Sequence, residues 1–109
     1  MNIWKRLEVA TDIRVDMDGT LCFGAAFTPE ECLRAEPRLD VIRKINELGF
    51  RKNIIIWTAR QNNLIEATLE WAVRHGVKYN AIDNKKNPSE IYIDDRAINV
   101  EDFIAEEVS

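Results

Sequence analysis

The chain has 109 residues, of which 46% are hydrophobic and 31% are charged, and its formal net charge is −4. These values describe one globular domain over residues 1–109. No apolar run approaches the roughly 20 residues of a membrane span, and the negative charge argues against a broad nucleic-acid-binding face, although a local basic patch remains open. The two cysteines are too few for a disulfide framework and the N-terminus lacks the order of a signal peptide, so we expect a cytoplasmic protein.

The N-terminal part of the chain is expected to form an apolar element and then a strand. Residues 3–9 supply the apolar element, and residues 13–17 form the strand. Asp12 and Arg14 make this strand less apolar than a buried parallel strand should be, because burying unpaired charges is costly. We therefore expect either that these charges pair or that the strand begins later in the chain.

Two helices and a strand are predicted next. Residues 21–37 are irregular apart from a short helix with Thr28 as N-cap and Pro29 at its first position. A second helix ends at Gly49, and its apolar stripe consists of Leu39, Ile42, Ile45 and Leu48. Residues 53–58 form a strand whose β-branched and aromatic run is typical of burial on both faces.

The second half of the chain continues the alternation. Residues 62–75 form a helix that Gly76 terminates, with an apolar stripe of Ile65, Leu69, Ala72 and Val73. The remaining elements are strands at 77–82 and 91–93, a loop at 83–89 between them, and a helix at 97–108 that packs through Ile98, Phe103 and Ile104. Strands joined through helices predict an α/β fold, a three-layer Rossmann-like parallel sheet with helices on both faces.

Two acidic residues follow the first strand, in the run Asp16-Met17-Asp18-Gly19-Thr20. Alternate residues of a strand share a face, so the two carboxylates project together. Their repulsion is relieved by a proton or by a cation, and Mg²⁺ prefers such oxygen ligands. The alternative is a polar turn, since Asp and Gly are common turn residues and the same pattern opens calcium loops.

Polar side chains also follow the other predicted strands. Thr58 ends the second strand, Asp94 and Asp95 end the fourth, and Lys85 and Lys86 lie in the loop before the fourth. Ligands of parallel α/β sheets bind beyond the carboxyl ends of the strands, so these groups should meet at one edge. Carboxylates around a hard cation, with a hydroxyl and an ammonium, suit a phosphoryl group.

These groups lie in three runs, VDMDGTL at 15–21, IIIWTAR at 54–60 and IYIDDRA at 91–97. With the loop lysine, they resemble in order and spacing the haloacid dehalogenase (HAD) superfamily of aspartyl phosphohydrolases. The resemblance covers residues 12–104. It is especially close to small bacterial and phage members ending in YIDDRA, some of which are described as capsule-biosynthesis phosphatases.

The resemblance implies a Mg²⁺-dependent phosphatase that hydrolyses a phosphate monoester through an aspartyl-phosphate. Asp16 is similar to the nucleophile of the family, and Asp18 to the general acid that then acts as a base toward water. Thr58, the neighbouring backbone at Ala59 and the side chain of Lys86 are similar to the phosphate-binding groups of the family.

The same resemblance implies four metal ligands, with Asp94 the more direct of the last pair: Asp16, Asp18, Asp94 and Asp95. Lys86 precedes Asp94 by eight residues, the spacing expected from similar small members, and Lys85 is the alternative. Arg60 is expected either to meet a substrate or to be an exposed arginine at a helix start.

Neither gap between the motifs has room for the cap domain that many HAD enzymes insert. The site is therefore expected to be open, covered by residues 22–27, by a partner subunit of a homo-oligomer or by the substrate. The substrate is expected to be phosphorylated, and an open site admits large or sugar-linked molecules. Two other classes stay open: a receiver-like phospho-acceptor module, with Asp83 beyond the third strand, and a non-catalytic phosphate- or metal-binding protein.

Overall fold

A parallel sheet in the order β1-β2-β3 forms the centre of the molecule. Its strands are β1 (Asp12–Asp16), β2 (Asn53–Trp57) and β3 (Ala81–Asp83). The structure is a computed structural model that describes residues 3–86 and 96–105. Asp16 pairs with Trp57, and Trp57 with Asp83, so the strands end level at one edge of the sheet. The predicted α/β class is confirmed at this level, as a small parallel sheet flanked by helices.

The helices that flank the sheet are α1 (Ile3–Val9), α2 (Pro29–Arg34), α3 (Leu39–Leu48), α4 (Ile65–Arg74) and α5 (Val100–Ala105), with a 3₁₀ turn at Asn62–Leu64 before α4. The predicted strand at 91–93 and the last part of the predicted helix, residues 106–108, lie outside the described residues. Throughout the described part of the chain, no helix has the length and apolar character needed to cross a membrane.

The first strand keeps its charges at the surface. Asp12 is exposed and accepts a hydrogen bond from Asn53 Nδ2 at 3.0 Å, and Arg14 is also exposed. The strand therefore begins at Asp12, and the expected later start is wrong, because neither charge has to be buried. The predicted apolar element before it is the helix α1, whose Leu7 joins the core.

The central strand is buried more completely on one face than on the other. Ile54 and Ile56 are fully buried and belong to the same core cluster as Val15 of β1. Ile55 and Trp57, which alternate with them, are half-buried. The expected burial of both faces of β2 is therefore met on one face only. The expectation that helices cover both faces of the sheet remains a prediction.

The third strand is shorter than predicted because the chain before it completes the end of α4. Val77 N–H donates to the Ala72 carbonyl, and Lys78 N–H donates to Asn46 Oδ1. Gly76 ends the helix as predicted, with φ at +70°, a conformation that glycine adopts at little cost. Residues 81–83 are the ones that pair with β2.

The second helix buries a different stripe from the predicted one. On α3 the buried side chains are Val41, Ile42, Ile45 and Leu48, while Leu39, its first residue, is 58% exposed. Three of the four predicted positions are therefore correct, and Val41 takes the place of Leu39.

The stripe of α4 is displaced further. Its buried residues are Ala67, Thr68, Trp71 and Ala72, and the predicted Val73 is 69% exposed. Trp71 is fully buried and donates from Nε1 to the Ala35 carbonyl at 2.8 Å. A polar residue, Thr68, occupies the buried face because its hydroxyl donates to the Leu64 carbonyl at 2.7 Å.

Two cations join α5 to α3. Arg38, just before α3, contacts Glu101 Oε1 from its Nη1 at 3.1 Å. Lys44 Nζ donates to the Phe103 carbonyl at 2.8 Å and to the Ile104 carbonyl at 3.1 Å. Ile98, Phe103 and Ile104, the predicted apolar contacts, pack against the core, but the helix begins at Val100 and not at residue 97, so Ile98 precedes it.

Candidate functional site

A tight turn follows β1 and carries the two acidic residues. The Met17 carbonyl accepts the N–H groups of Thr20, Leu21 and Cys22 at 3.0–3.2 Å. The turn needs a left-handed residue, and Gly19 supplies it with φ at +81°. The side chain of Met17 is fully buried, so the residues on either side of it, both partly exposed, hold their carboxylates at the end of the sheet.

The first carboxylate contacts one of the two candidate lysines. Lys86 Nζ lies 2.9 Å from Asp16 Oδ2, and Oδ1 of the same carboxylate accepts the Met17 N–H at 2.8 Å. Lys86 also lies over the Trp57 ring, with Nζ 4.9 Å from its centroid. Lys85 is exposed, and its N–H donates to Asp83 Oδ1. The geometry therefore favours Lys86 as the lysine of the site.

The second carboxylate contacts a different cation. Arg60 holds both oxygens of Asp18, from Nη2 to Oδ1 at 2.6 Å and from Nε to Oδ2 at 3.1 Å. Two parallel bonds of this kind fix both the position and the plane of a carboxylate. The two acids of the turn thus have separate cationic partners, Lys86 for Asp16 and Arg60 for Asp18.

Arg60 is the residue whose role the sequence did not indicate. Its side chain is 2% exposed, so the expected exposed arginine at a helix start is wrong. Its Nη1 donates to Thr68 Oγ1 at 2.9 Å. Burial lowers the pKa of Arg60, but the hydrogen bonds and charge of Asp18 outweigh it and raise the pKa. The sequence offers one signal for this role: Arg60 follows, by two residues, the threonine that ends β2.

Thr58 and Ala59 lie beside this pair. Thr58 is 1% exposed, its Oγ1 accepts the Arg60 N–H at 3.1 Å, and its own N–H donates to the Asp83 carbonyl at 2.9 Å. Ala59 is exposed, so its backbone is the accessible part of the predicted phosphate-binding segment. The hydroxyl of Thr58 keeps its own hydrogen as a donor.

The donor chemistry of the turn fits a hard cation. Asp16 and Asp18 are partly exposed, and the Asp16 oxygens and Asp18 Oδ2 each have a lone pair beyond the contact they make. Over residues 3–86 and 96–105, no three His, Cys, Asp or Glu side chains are grouped so that they could hold a metal ion. The other two predicted ligands, Asp94 and Asp95, lie outside those ranges.

A buried thiol lies under the second carboxylate. Cys22 Sγ is 3.8 Å from Asp18 Oδ1 and 3.8 Å from Arg60 Nη2. Burial, and after it the charge of Asp18, raises the pKa of Cys22 to about 11. The thiol therefore stays protonated at neutral pH, and in that form it is a poor nucleophile.

The segment after the turn is fastened to the chain before α3. Phe23 N–H donates to the Glu36 carbonyl, and Arg38 N–H donates to the Leu21 carbonyl at 2.8 Å. Phe23 and Phe27 remain largely exposed. These hydrogen bonds hold the start of residues 22–27, the segment expected to cover the site.

Comparison with solved structures gives one neighbour with a close overall likeness. A crystal structure of an MCSG target from Vibrio cholerae matches with a TM-score of 0.74 and 29% sequence identity, over 91% of this chain and 91% of that chain. No family model matches the chain, and the search of curated proteins found no match. The name of the Vibrio protein states no activity, so the likeness supports the α/β fold and leaves the chemistry to the geometry.

Proposed function

We propose that the protein is a Mg²⁺-dependent phosphatase of the HAD type, which hydrolyses a phosphate monoester through Asp16. The observation that carries the proposal is the 2.9 Å contact between Asp16 and Lys86 at the edge where β1 and β2 end. An ammonium beside a carboxylate nucleophile offsets the negative charge that would otherwise repel an incoming phosphate.

The proposed reaction has two steps. A carboxylate oxygen of Asp16 attacks phosphorus, and the bond from phosphorus to the ester oxygen breaks. The electron pair stays on the ester oxygen, which takes a proton from the carboxylic acid of Asp18 and leaves as the alcohol. The Asp18 carboxylate then takes a proton from water as the water oxygen attacks phosphorus. The bond from phosphorus to Asp16 breaks, and inorganic phosphate is released.

The remaining site residues have supporting roles in this proposal. Lys86, the Thr58 hydroxyl and the Ala59 N–H hold the phosphate oxygens. Mg²⁺, when bound, offsets charge on the phosphate and the carboxylates. Asp16, Asp18, Asp94 and Asp95 would hold the ion.

The proposal includes the finer fold, an HAD-like three-layer sheet without a cap domain. It is supported by two short connections between the strands: residues 17–52 hold α2 and α3, and residues 58–80 hold the 3₁₀ turn and α4. An uncapped edge admits a large or sugar-linked phosphate as well as a small one.

The test is hydrolysis of p-nitrophenyl phosphate in the presence of Mg²⁺, with Asp16→Asn as the matched variant. Asparagine keeps the shape of the side chain but cannot form the phospho-enzyme, so we expect a loss of at least about 10³-fold. Removal of Mg²⁺ with EDTA should abolish turnover. The proposal is wrong if the folded protein hydrolyses no aryl, sugar or nucleotide phosphate, or if Asp16→Asn equals the unchanged protein.

A second candidate is a non-catalytic protein that binds phosphate or metal at the same site. The observation that favours it is that both oxygens of Asp18 are held by Arg60, as in a structural ion pair. Calorimetric titration with Mg²⁺ and with inorganic phosphate distinguishes the two candidates. Binding without turnover favours the second, and a phosphorylated aspartate that persists favours the receiver-like class.

A further inference from the structure

Arg60 makes more hydrogen bonds than an ion pair with a single surface carboxylate needs. Its three guanidinium nitrogens contact Asp18 from Nε and Nη2 and Thr68 from Nη1. Its backbone N–H donates to Thr58 Oγ1. The arginine therefore joins the end of β2 and the buried face of α4 to the turn after β1, with no freedom to follow the substrate.

We infer that Arg60 is a positioning residue for Asp18, which fixes the plane of this carboxylate and the direction of its free lone pairs. The inference rests on the proposed function, in which Asp18 transfers the proton. One lone pair of each oxygen accepts from the guanidinium, and Oδ1 also accepts from Cys22 Sγ, so the lone pair left for an O–H belongs to Oδ2. The side chain of Asp18 is 28% exposed, so it is not sealed off from solvent.

Arginine suits this role better than lysine would. Its planar fork matches both oxygens of a carboxylate at once, whereas an ammonium is a point charge that leaves the plane of the carboxylate free. Thr68, which accepts a hydrogen bond from the guanidinium, is itself held in place, because it is fully buried and its hydroxyl donates to the Leu64 carbonyl. Positioning of a proton donor to within a fraction of an ångström is the condition for general acid catalysis.

The inference predicts a dependence on the leaving group. Nitrophenolate leaves without a proton, whereas an alkoxide needs one from Asp18. In single-turnover experiments, Arg60→Gln should slow alcohol release from propyl phosphate by about 10²-fold. Release of nitrophenol from p-nitrophenyl phosphate should change far less. Asp18→Asn should show the same difference between the two esters, and Arg60→Lys should restore little of the loss on propyl phosphate.

Controls separate positioning from folding. Thr68→Val removes the hydroxyl that holds Arg60 without touching Asp18, so it should give a weaker form of the same leaving-group effect. Arg74→Gln, an exposed arginine on α4 paired with Glu70, should leave both esters unaffected. Equal losses on both esters for Arg60→Gln would overturn the inference, because a structural role would slow both.

A second measurement does not depend on turnover. The urea midpoints of Arg60→Gln, Asp18→Asn and the double variant form a cycle with the unchanged protein. If Arg60 holds Asp18, the double variant should lose less than the sum of the two single losses. Additive losses would show that Arg60 does not hold Asp18 and would overturn the inference. If instead Asp16→Asn hydrolysed phosphate esters as fast as the unchanged protein, only the proposed phosphatase function would be overturned.

Discussion

Lys86 and Asp16 are joined by an ion pair of 2.9 Å, although the lysine follows β3 and the aspartate ends β1. Together with the Arg60–Asp18 pair, it gives each acid of the turn its own cation. Two carboxylates one residue apart would otherwise repel each other. The arrangement leaves both acids partly exposed at the edge of the sheet.

The two adjacent lysines should differ sharply in effect. Lys86→Ala removes the cation beside Asp16, so turnover of p-nitrophenyl phosphate should fall by about 10²-fold. Lys85→Ala is the matched control and should leave turnover nearly unchanged, because Lys85 is exposed. The measurement is kcat/KM of both variants at saturating Mg²⁺. A larger loss for Lys85→Ala would reassign the lysine of the site.

Trp71→Phe should destabilise the protein by about 1–3 kcal/mol. The substitution leaves the Ala35 carbonyl without its indole donor and opens a cavity in the core. Val73→Ala, two residues later on the exposed face of α4, should change the free energy of unfolding by less than about 0.5 kcal/mol. Urea unfolding followed by circular dichroism checks both. Equal effects would contradict the buried stripe of α4.

Thr28→Ala should cost about 1 kcal/mol of stability. Thr28 Oγ1 accepts the Glu31 N–H at 3.1 Å, and Glu31 Oε1 accepts the Thr28 N–H at 3.1 Å, which completes a capping box at α2. Thr28→Ser keeps the acceptor and is the matched control, so its midpoint in urea should stay close to that of the unchanged protein. A loss for serine as large as that for alanine would argue against the cap.

The free energy of unfolding should fall as the pH rises from about 9 to about 11. The pKa of Cys22 is raised from its ordinary 9.0 to about 11 by burial and by Asp18. A raised pKa in the folded state contributes stability below the unfolded pKa, and this is lost as the unfolded thiol ionises first. The loss should be roughly 2–3 kcal/mol.

Cys22→Ala is the control for this pH dependence. The variant has no thiol to ionise, so the difference in unfolding free energy between it and the unchanged protein should narrow over the same pH range. Chemical unfolding at several pH values checks the comparison, since tyrosine and lysine ionisation affects both proteins alike. A difference that stays constant from pH 9 to 11 would contradict the raised pKa.

Much of the fold could be predicted from local patterns. The strand at 53–57, the capped start of α2 and the glycine end of α4 depend on residues close in sequence, and all three agree with the structure. The buried stripe of α4 could not be predicted in this way. It is set by Trp71 and by the bonded hydroxyl of Thr68, and these depend on partners elsewhere in the chain.

The candidate site shows the same contrast between local sequence signals and contacts between distant residues. The acids Asp16 and Asp18 stand out because their spacing and the following glycine are local signals. The partners of these acids do not, because Arg60 is 42 residues beyond Asp18 and looks like a surface residue. Spacing indicated Lys86 over Lys85, but only the folded chain shows which ammonium contacts a carboxylate.

The ion pairs of the turn after β1 can form only after later parts of the chain have been synthesised and folded. Asp16 and Asp18 are synthesised before Arg60 and Lys86, and both cations reach them only when β1 has paired with β2 and β3 has joined the sheet. A nascent or partly folded chain therefore carries two carboxylates without their cationic partners. In the proposed phosphatase, binding of phosphate would thus depend on the finished sheet.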